Sequence, residues 1–495
     1  MKKLSVVLVT VDCLRADHVG FLGYSRPVTP VLDSLAKESI VFSNAIVAGA
    51  PTYFSFPATL ASRYPLSLGR DVLGIAPKEP TIATALRDSG YSTAAMLAGN
   101  PYLSARFGYD QGFDTFRDFL DAVEPQEPQF SPAAANGASP LNRRIQAASR
   151  GTAFTASAYD ELYFWYCQWR ASRENASMDQ LRRYPAADVV VDQARSWLSS
   201  LGDEPFFLWL HLMDPHHPYF PPEEALAAVG ASQITARRAR FLNFFWNRGD
   251  VSPRRLQGYR DEVLSLYDAG VYWADKQIAR LIQALRHFQR WENTVLAVTA
   301  DHGEEFLEHG ARYHSPNHLP EQLIHVPLLL RLPEASGARV LDGPFSLLHL
   351  APTLLGLMDV PVPQTFQGRS YQKHILSGEL PDDPVISECA DGCNNPFHVK
   401  ERLRPRLMTV RDRQYKLVLR FGEKKDDLYD LKNDPEEHLP LGANALPNIR
   451  AHLLQTALAH LRTTRQNRNL DLALHGRIRN LRQSFSSTLG PIRPH

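Results

Sequence analysis

Three short apolar runs constrain this chain more tightly than any other feature. Residues 4–11, 205–212 and 294–300 are dense in Val, Leu and Phe, each is about one strand long, and each ends on polar side chains. Runs without polar alternation read as strands covered on both faces, the pattern of a parallel sheet between helices. Helical periodicity fills the intervals at residues 30–39, 81–89, 187–200 and 258–288. Strands alternating with helices predict an α/β domain with a mostly parallel central sheet. Ligands of such sheets sit beyond the carboxyl ends of the strands, where Asp12, His211 and Asp301 fall.

Composition narrows the function. At 495 residues, 44% hydrophobic and 22% charged, the chain is neither disordered, collagenous nor a coiled coil. Its 54 basic and 53 acidic side chains leave a formal charge of +1. With no broad basic field, nucleic acid and anionic membrane are not the expected partners, and an anionic small-molecule substrate must be held by local groups. Two lysines precede the first apolar run and imitate a signal peptide. Asp12, Arg15 and Asp17 interrupt the run without a small-residue cleavage site, so a first strand is the better reading. No stretch reaches the roughly eighteen apolar residues of a membrane span. Four cysteines (Cys13, Cys167, Cys389, Cys393) are too sparse for a disulfide framework, so a cytoplasmic protein is expected, with Cys389 and Cys393 as surface-loop thiols.

The organisation expected is a catalytic domain over residues 1–380, a small C-terminal α+β subdomain over 381–463 and a basic tail over 464–495. Within the first, residues 121–183 break the rhythm. They open on a Pro/Ala/Ser/Gln/Asn-rich stretch (124–140) and continue through aromatic-rich 159–169. This is read as an insertion, either an active-site cover or a surface excursion, with the aromatic cluster 241–246 as part of it. In the subdomain, strands are expected at 407–410, 415–420 and 427–431 and a helix at 449–463. The tail carries six arginines and one acid, Asp471, and reads as a solvated or docked segment or an interaction arm.

The strongest chemical signal is Asp301-His302-Gly303 at the end of the third apolar run. A carboxylate, an imidazole and a glycine at a strand end make a good corner for a divalent metal, although such a pair also serves as a plain turn. Asp12 ends the first run in Val11-Asp12-Cys13-Leu14-Arg15-Ala16-Asp17-His18. After the middle run come His211, Asp214, His216 and His217, imidazoles that titrate near working pH and suit proton transfer. Four such residues in seven leave open a second metal site near Asp214 and His216.

These corners, with residues 24–36, Phe42-Ser43-Asn44-Ala45, the His211 to Tyr219 segment, Leu266-Tyr267-Asp268-Ala269, Val326-Pro327-Leu328-Leu329, residues 350–355 and the terminal Leu428-Tyr429-Asp430-Leu431, resemble the sulfatase branch of the alkaline phosphatase superfamily. The resemblance covers most of the chain. It implies an alkaline phosphatase-like three-layer sandwich and a metal-dependent ester hydrolase. It further implies a nucleophile twelve residues before the tyrosine of a Tyr-Pro pair, here Tyr64-Pro65 and therefore Thr52. Sulfatases carry an oxidisable cysteine or serine there within Cys-x-Pro-Ser-Arg. This chain reads Thr52-Tyr53-Phe54-Ser55-Phe56, so no formylglycine is expected, and Phe56 replaces the family arginine. Threonine is the nucleophile of phosphodiesterase and phosphotransferase relatives, with Ser55 as the competing candidate here.

The implied metal ligands are Asp12, Thr52, Asp301 and His302. The implied catalytic residues are Thr52, His211, His216 and His314, and the implied substrate contacts Asn100, Arg15 and His318. An oxygen-rich set with one nitrogen suits Mn²⁺, Mg²⁺ or Ca²⁺ and admits Zn²⁺. The expected reaction is cleavage or transfer at a phosphodiester, phosphonate monoester or related anionic ester. The alternatives are a sulfatase working without formylglycine and a degenerate relative that only binds a metal or anion.

Overall fold

The strand register brings the three apolar runs to one level. In the computed structural model, which describes residues 3–70, 72–122, 145, 148, 152–171, 176–333, 337–423 and 425–463, these runs are β1 (Ser5–Val11), β5 (Phe206–Leu212) and β6 (Thr294–Ala300). β1 pairs in parallel with both others, and Val11 lies opposite Leu212 on one side and Ala300 on the other. Asp12 and Asp301 therefore leave the sheet side by side, with His211 opposite Thr10.

The remaining strands are β2 (Ile40–Ile46), β3 (Ser92–Leu97), β4 (Thr115–Arg117), β7 (Glu305–Phe306), β8 (Arg312–Tyr313), β9 (His325–Arg331), β10 (Arg339–Ser346), β11 (Val385–Ala390), β12 (Arg406–Arg411), β13 (Tyr415–Arg420) and β14 (Lys425–Asp430). The large sheet has the order β10-β2-β9-β6-β1-β5-β3-β4 and is parallel except for β9, which runs antiparallel to β2 and β6. Every residue of β1, β5 and β6 is buried, as runs without polar alternation require. Each buried Val, Leu or Phe there contributes roughly 1.5–3 kcal/mol. The helices Ala187–Ser200 and Arg260–His287 pack against each other. The longer one also holds the loop after β1: Tyr267 donates to the Cys13 carbonyl at 2.8 Å, and buried Asp268 takes His18, Tyr24 and Arg26.

β11 to β14 form a four-stranded antiparallel sheet in sequence order, backed by the helix Pro447–Thr463. The expected subdomain strands are present; β11 is an addition, and it corrects the reading of the last two cysteines. Cys389 lies within β11 and Cys393 just beyond it, and both thiols are buried rather than on a surface loop. The helix Ala153–Ala171 stacks Phe164 and Trp165 on Phe241 of the helix Ala236–Trp246, so the two aromatic clusters do meet. The stretch 124–140 and the tail 464–495 lie outside the described residues.

Candidate active site

Asp12 and Asp301, buried side by side, would repel each other unless something positive lies between them. Asp301 Oδ1 accepts from the Cys13 and His302 backbone amides at 3.3 and 2.9 Å. Its Oδ2 has no hydrogen-bond partner among the described residues, and His302 Nε2 stands 3.4 Å away. His302 Nδ1 lies 2.8 Å from the Gly303 carbonyl, which can only accept, so Nδ1 carries a proton, and in the neutral ring Nε2 presents its lone pair. The same Nε2 is 3.8 Å from Asp12 Oδ1 and 3.1 Å from Thr52 Oγ1. Among the described residues, the only basic groups in ion-pair range of Asp12 or Asp301 are the imidazoles of His211 and His302.

Converging lone pairs with one orphaned carboxylate oxygen are the complement of a cation. Asp12, Asp301, His302 and the Thr52 hydroxyl thus fit a divalent ion, and overlapping sets of Asp12, Cys13, His211, Asp301 and His302 have ligand atoms within 4.8 Å of one another. Burial and the neighbouring Asp12 charge raise the Asp301 carboxyl above its usual range. Burial also opposes ionisation of Asp12, but His216, His211 and His302 outweigh it and hold that carboxyl well below its usual range.

Local structure explains these positions. Gly303 is required for close approach, because a Cβ there would lie 1.9 Å from the Gln322 carbonyl oxygen. Thr52 is the first residue of the helix Thr52–Ala61, so its hydroxyl stands where unpaired helix amides favour an anion. Neither hydroxyl caps the helix. Ser55, one turn on, is buried and its Oγ has no hydrogen-bond partner among the described residues, whereas Thr52 Oγ1 faces the cluster. Phe56 is wholly buried against Tyr109, Trp209 and His211.

His216 and His314 also reach the cluster, with ring centroids 5.2 Å apart and His314 4.7 Å from His302. His216 Nδ1 donates to the His217 carbonyl, leaving Nε2 as an acceptor, and burial lowers its pKa despite the Asp12 charge. Burial would also discharge His314, but Glu304, whose Oε1 accepts from Nδ1 at 3.1 Å, together with Asp12 and Asp301, raises its pKa. Two neighbouring imidazoles are thereby pushed apart, one towards base and one towards acid.

Other expected site residues lie elsewhere or act indirectly. His211 is fully buried beneath Asp12, with Nε2 3.2 Å from Asp12 Oδ2 and Nδ1 3.0 Å from Thr10 Oγ1, a position from which it can orient that carboxylate. Asn100 donates to the same Asp12 oxygen at 3.0 Å. Arg15 is paired with Asp17 and Glu308 and donates to the Glu304 carbonyl, which leaves no free fork for an anion. His318 pairs with Glu305, away from the cluster. Asp214 accepts from the Ala187 amide at the start of the helix Ala187–Ser200, burial raises its pKa to about 7, and among the described residues it joins none of the clustered donor sets. Gly270 lets that turn sit close, since a Cβ there would be 2.4 Å from the Asp214 carbonyl oxygen.

Sequence reading missed Cys13 and Glu304. Cys13 has a φ of 61°, its thiol donates to Asp12 Oδ1 at 3.1 Å, and it groups with His216 and His314 as a further candidate donor set. Its position directly after the strand-ending Asp12 was the available signal.

A mostly parallel sheet whose strand ends present a cluster of carboxylates, an imidazole and a helix-borne hydroxyl is an arrangement suited to metal-assisted ester hydrolysis. The chain belongs to the sulfatase family: that family's profile matches residues 5–360, and the profile described as N-sulphoglucosamine sulphohydrolase, C-terminal, matches residues 308–464. It is similar to the uncharacterized sulfatase YidJ of Escherichia coli K12, at 24% identity over 88% of this chain and 82% of the relative. The phosphonate monoester hydrolase of Agrobacterium radiobacter shares the fold at 18% identity and a TM-score of 0.62, covering 93% of this chain and 95% of that one. So does a protein crystallised with its substrate D-glucosamine-2-N,6-O-disulfate, at 17% identity and a TM-score of 0.69 over 94% and 99%. Among the described residues no helix is long and apolar enough to cross a membrane.

Proposed function

We propose that this protein cleaves or transfers the phosphoryl-type group of a phosphodiester, phosphonate monoester or similar small anionic ester, with Thr52 as nucleophile. The observation that carries the reading is Thr52 Oγ1 lying 3.1 Å from His302 Nε2, beside the Asp301 oxygen that has no hydrogen-bond partner among the described residues. Asp12, Asp301 and His302 would hold a divalent ion, which would supply the positive charge that makes a hydroxyl acidic enough to attack at neutral pH; Mn²⁺, Mg²⁺, Ca²⁺ and Zn²⁺ all suit the donors.

The chain does the rest. Thr52 Oγ, its proton lost to solvent, forms a bond to phosphorus as the ester oxygen departs, and His314, its pKa raised beside Glu304, gives the leaving oxygen its proton. His216, neutral with Nε2 free, then takes a proton from water or an acceptor alcohol that attacks the phospho-threonine, and Thr52 is released. Asn100 and His211 keep Asp12 aimed at the cluster. The fold neighbour that hydrolyses phosphonate monoesters supports this substrate class.

Sulfate ester hydrolysis is the second reading, favoured by the family profile. It is disfavoured by Thr52, since a sulfated threonine lacks the geminal hydroxyl that expels sulfate. A panel of aryl sulfates, bis-aryl phosphates and aryl phosphonates, with intact-mass detection of the adduct on metal-loaded protein, tests both. Phospho-Thr52 with a product burst is expected. Full activity in Thr52→Ala, with no adduct, overturns the proposal.

A further inference from the structure

Glu304 and Glu305 are adjacent, wholly buried, and committed to opposite sides of the chain, as alternation in an extended segment dictates. Glu304 accepts from Tyr219 and His314 beside the catalytic cluster. Glu305 meets His318, whose Nε2 is 3.1 Å from Oε1, while Oε2 has no hydrogen-bond partner among the described residues. His309 completes the group: Glu305, His309 and His318 each bring a ligand atom within 4.8 Å of the others. The two rings stand edge to face with centroids 5.1 Å apart.

We infer that Glu305, His309 and His318 form a second metal site, for a zinc-like ion, on the side of β7 opposite the catalytic cluster. A carboxylate and two imidazoles form a borderline donor set suited to Zn²⁺. The site has the supporting groups such centres use: His309 Nε2 lies 3.2 Å from Gln322 Oε1, so its N–H is held by the amide oxygen and Nδ1 keeps its lone pair. The His438 ring, arriving from the region after β14, is 5.7 Å from His309 and brings a further nitrogen nearby. A lone carboxylate oxygen with no donor is costly to bury, and a cation removes that cost.

An ion there closes a loop from residue 305 to residue 318, and that loop carries His314. The site is thus a clamp on the segment that places the proposed proton donor. It does not rest on the reaction assigned to Thr52, because its ligands and its readout are separate.

The test uses the full-length chain. The Asp301→Asn protein, with its catalytic cluster disabled, is dialysed against Zn²⁺ and analysed for metal, then compared with the same protein carrying His309→Gln and His318→Gln. The expected result is about one equivalent of zinc per chain more in the first than in the second. With Co²⁺, intense tetrahedral-type visible bands are expected in the first and absent in the second. A melting curve without added metal shows whether the second protein is folded. His318→Gln alone, at a half-buried position, provides a milder variant that weakens zinc binding at least tenfold. Zinc uptake undiminished by the two histidine substitutions, or no uptake by the Asp301→Asn protein, overturns the inference.

Discussion

Two regions of this molecule bury carboxylates, and they treat them in opposite ways. In the small sheet, Glu388 is fully buried between Arg406 at 3.1 Å and His460 at 3.0 Å, and Lys416 sits between Glu321 and Glu437 at 3.2 and 2.9 Å. Each charge has its counter-charge within the chain. At the end of the large sheet, Asp12 and Asp301 face imidazoles, a hydroxyl and a thiol instead. Buried ions that are paired internally mark structure, whereas buried ions left unpaired mark a place kept for something from outside.

The sharpest way to break this contrast is Thr52→Ala. Turnover of the best aryl ester falls at least about a thousandfold while the fold persists, measured as kcat on metal-loaded protein. Next comes stability. Glu388→Gln leaves the Arg406 charge buried without its partner and costs about 3–5 kcal/mol in urea unfolding. Asp301→Asn, which keeps the Oδ1 acceptor for the Cys13 and His302 amides, instead leaves the metal-free protein as stable or more so. A loss at Asp301 equal to that at Glu388 would erase the distinction.

Metal is the third probe: a chelator abolishes activity, and a hundredfold excess of Mn²⁺ over its Kd stabilises the protein by about 2.7 kcal/mol. That gain disappears in Asp301→Asn.

The pH slopes of the two regions are opposite in sign. Burial opposes ionisation of Glu388, but Arg406 and His460 hold its pKa at about 2. Its contribution is therefore present above the ordinary carboxylate pKa and lost as pH falls towards 2. Asp301 is raised, so in metal-free protein its contribution is present below the ordinary carboxylate pKa and lost as pH rises through that range. Denaturant midpoints of each variant against wild type over about pH 3–7 report both slopes; for each pair, the gap is widest at the neutral end. The smallest effect is Ser55→Ala, which changes stability by less than about 0.5 kcal/mol and activity little, since its hydroxyl bonds to nothing.

The three buried strands and the residues at their ends were legible because an unalternated apolar run has one low-energy use, and the catalytic edge follows from it. β11 was not, since Val385–Ala390 carries Ser, Glu and Cys and lacks a clear period. Among the histidines, spacing could not separate the roles. His211 faces the same way as Asp12 in sequence logic, yet the neighbouring strand places it underneath. Arg15 looks like an anion clamp until Glu308, almost three hundred residues away, closes on it.

By itself, the sequence determined the α/β class and the strand-end residues Asp12, Asp301 and His302 as candidate metal ligands, because each strand and the polar residues that end it are written in adjacent positions. Only the tertiary structure decided which hydroxyl meets His302, which imidazole is raised in pKa and which lowered, and that Glu304 and Glu305 serve different clusters. Those outcomes depend on through-space fields and lone-pair directions, which arise only when strands distant in the chain are brought into register.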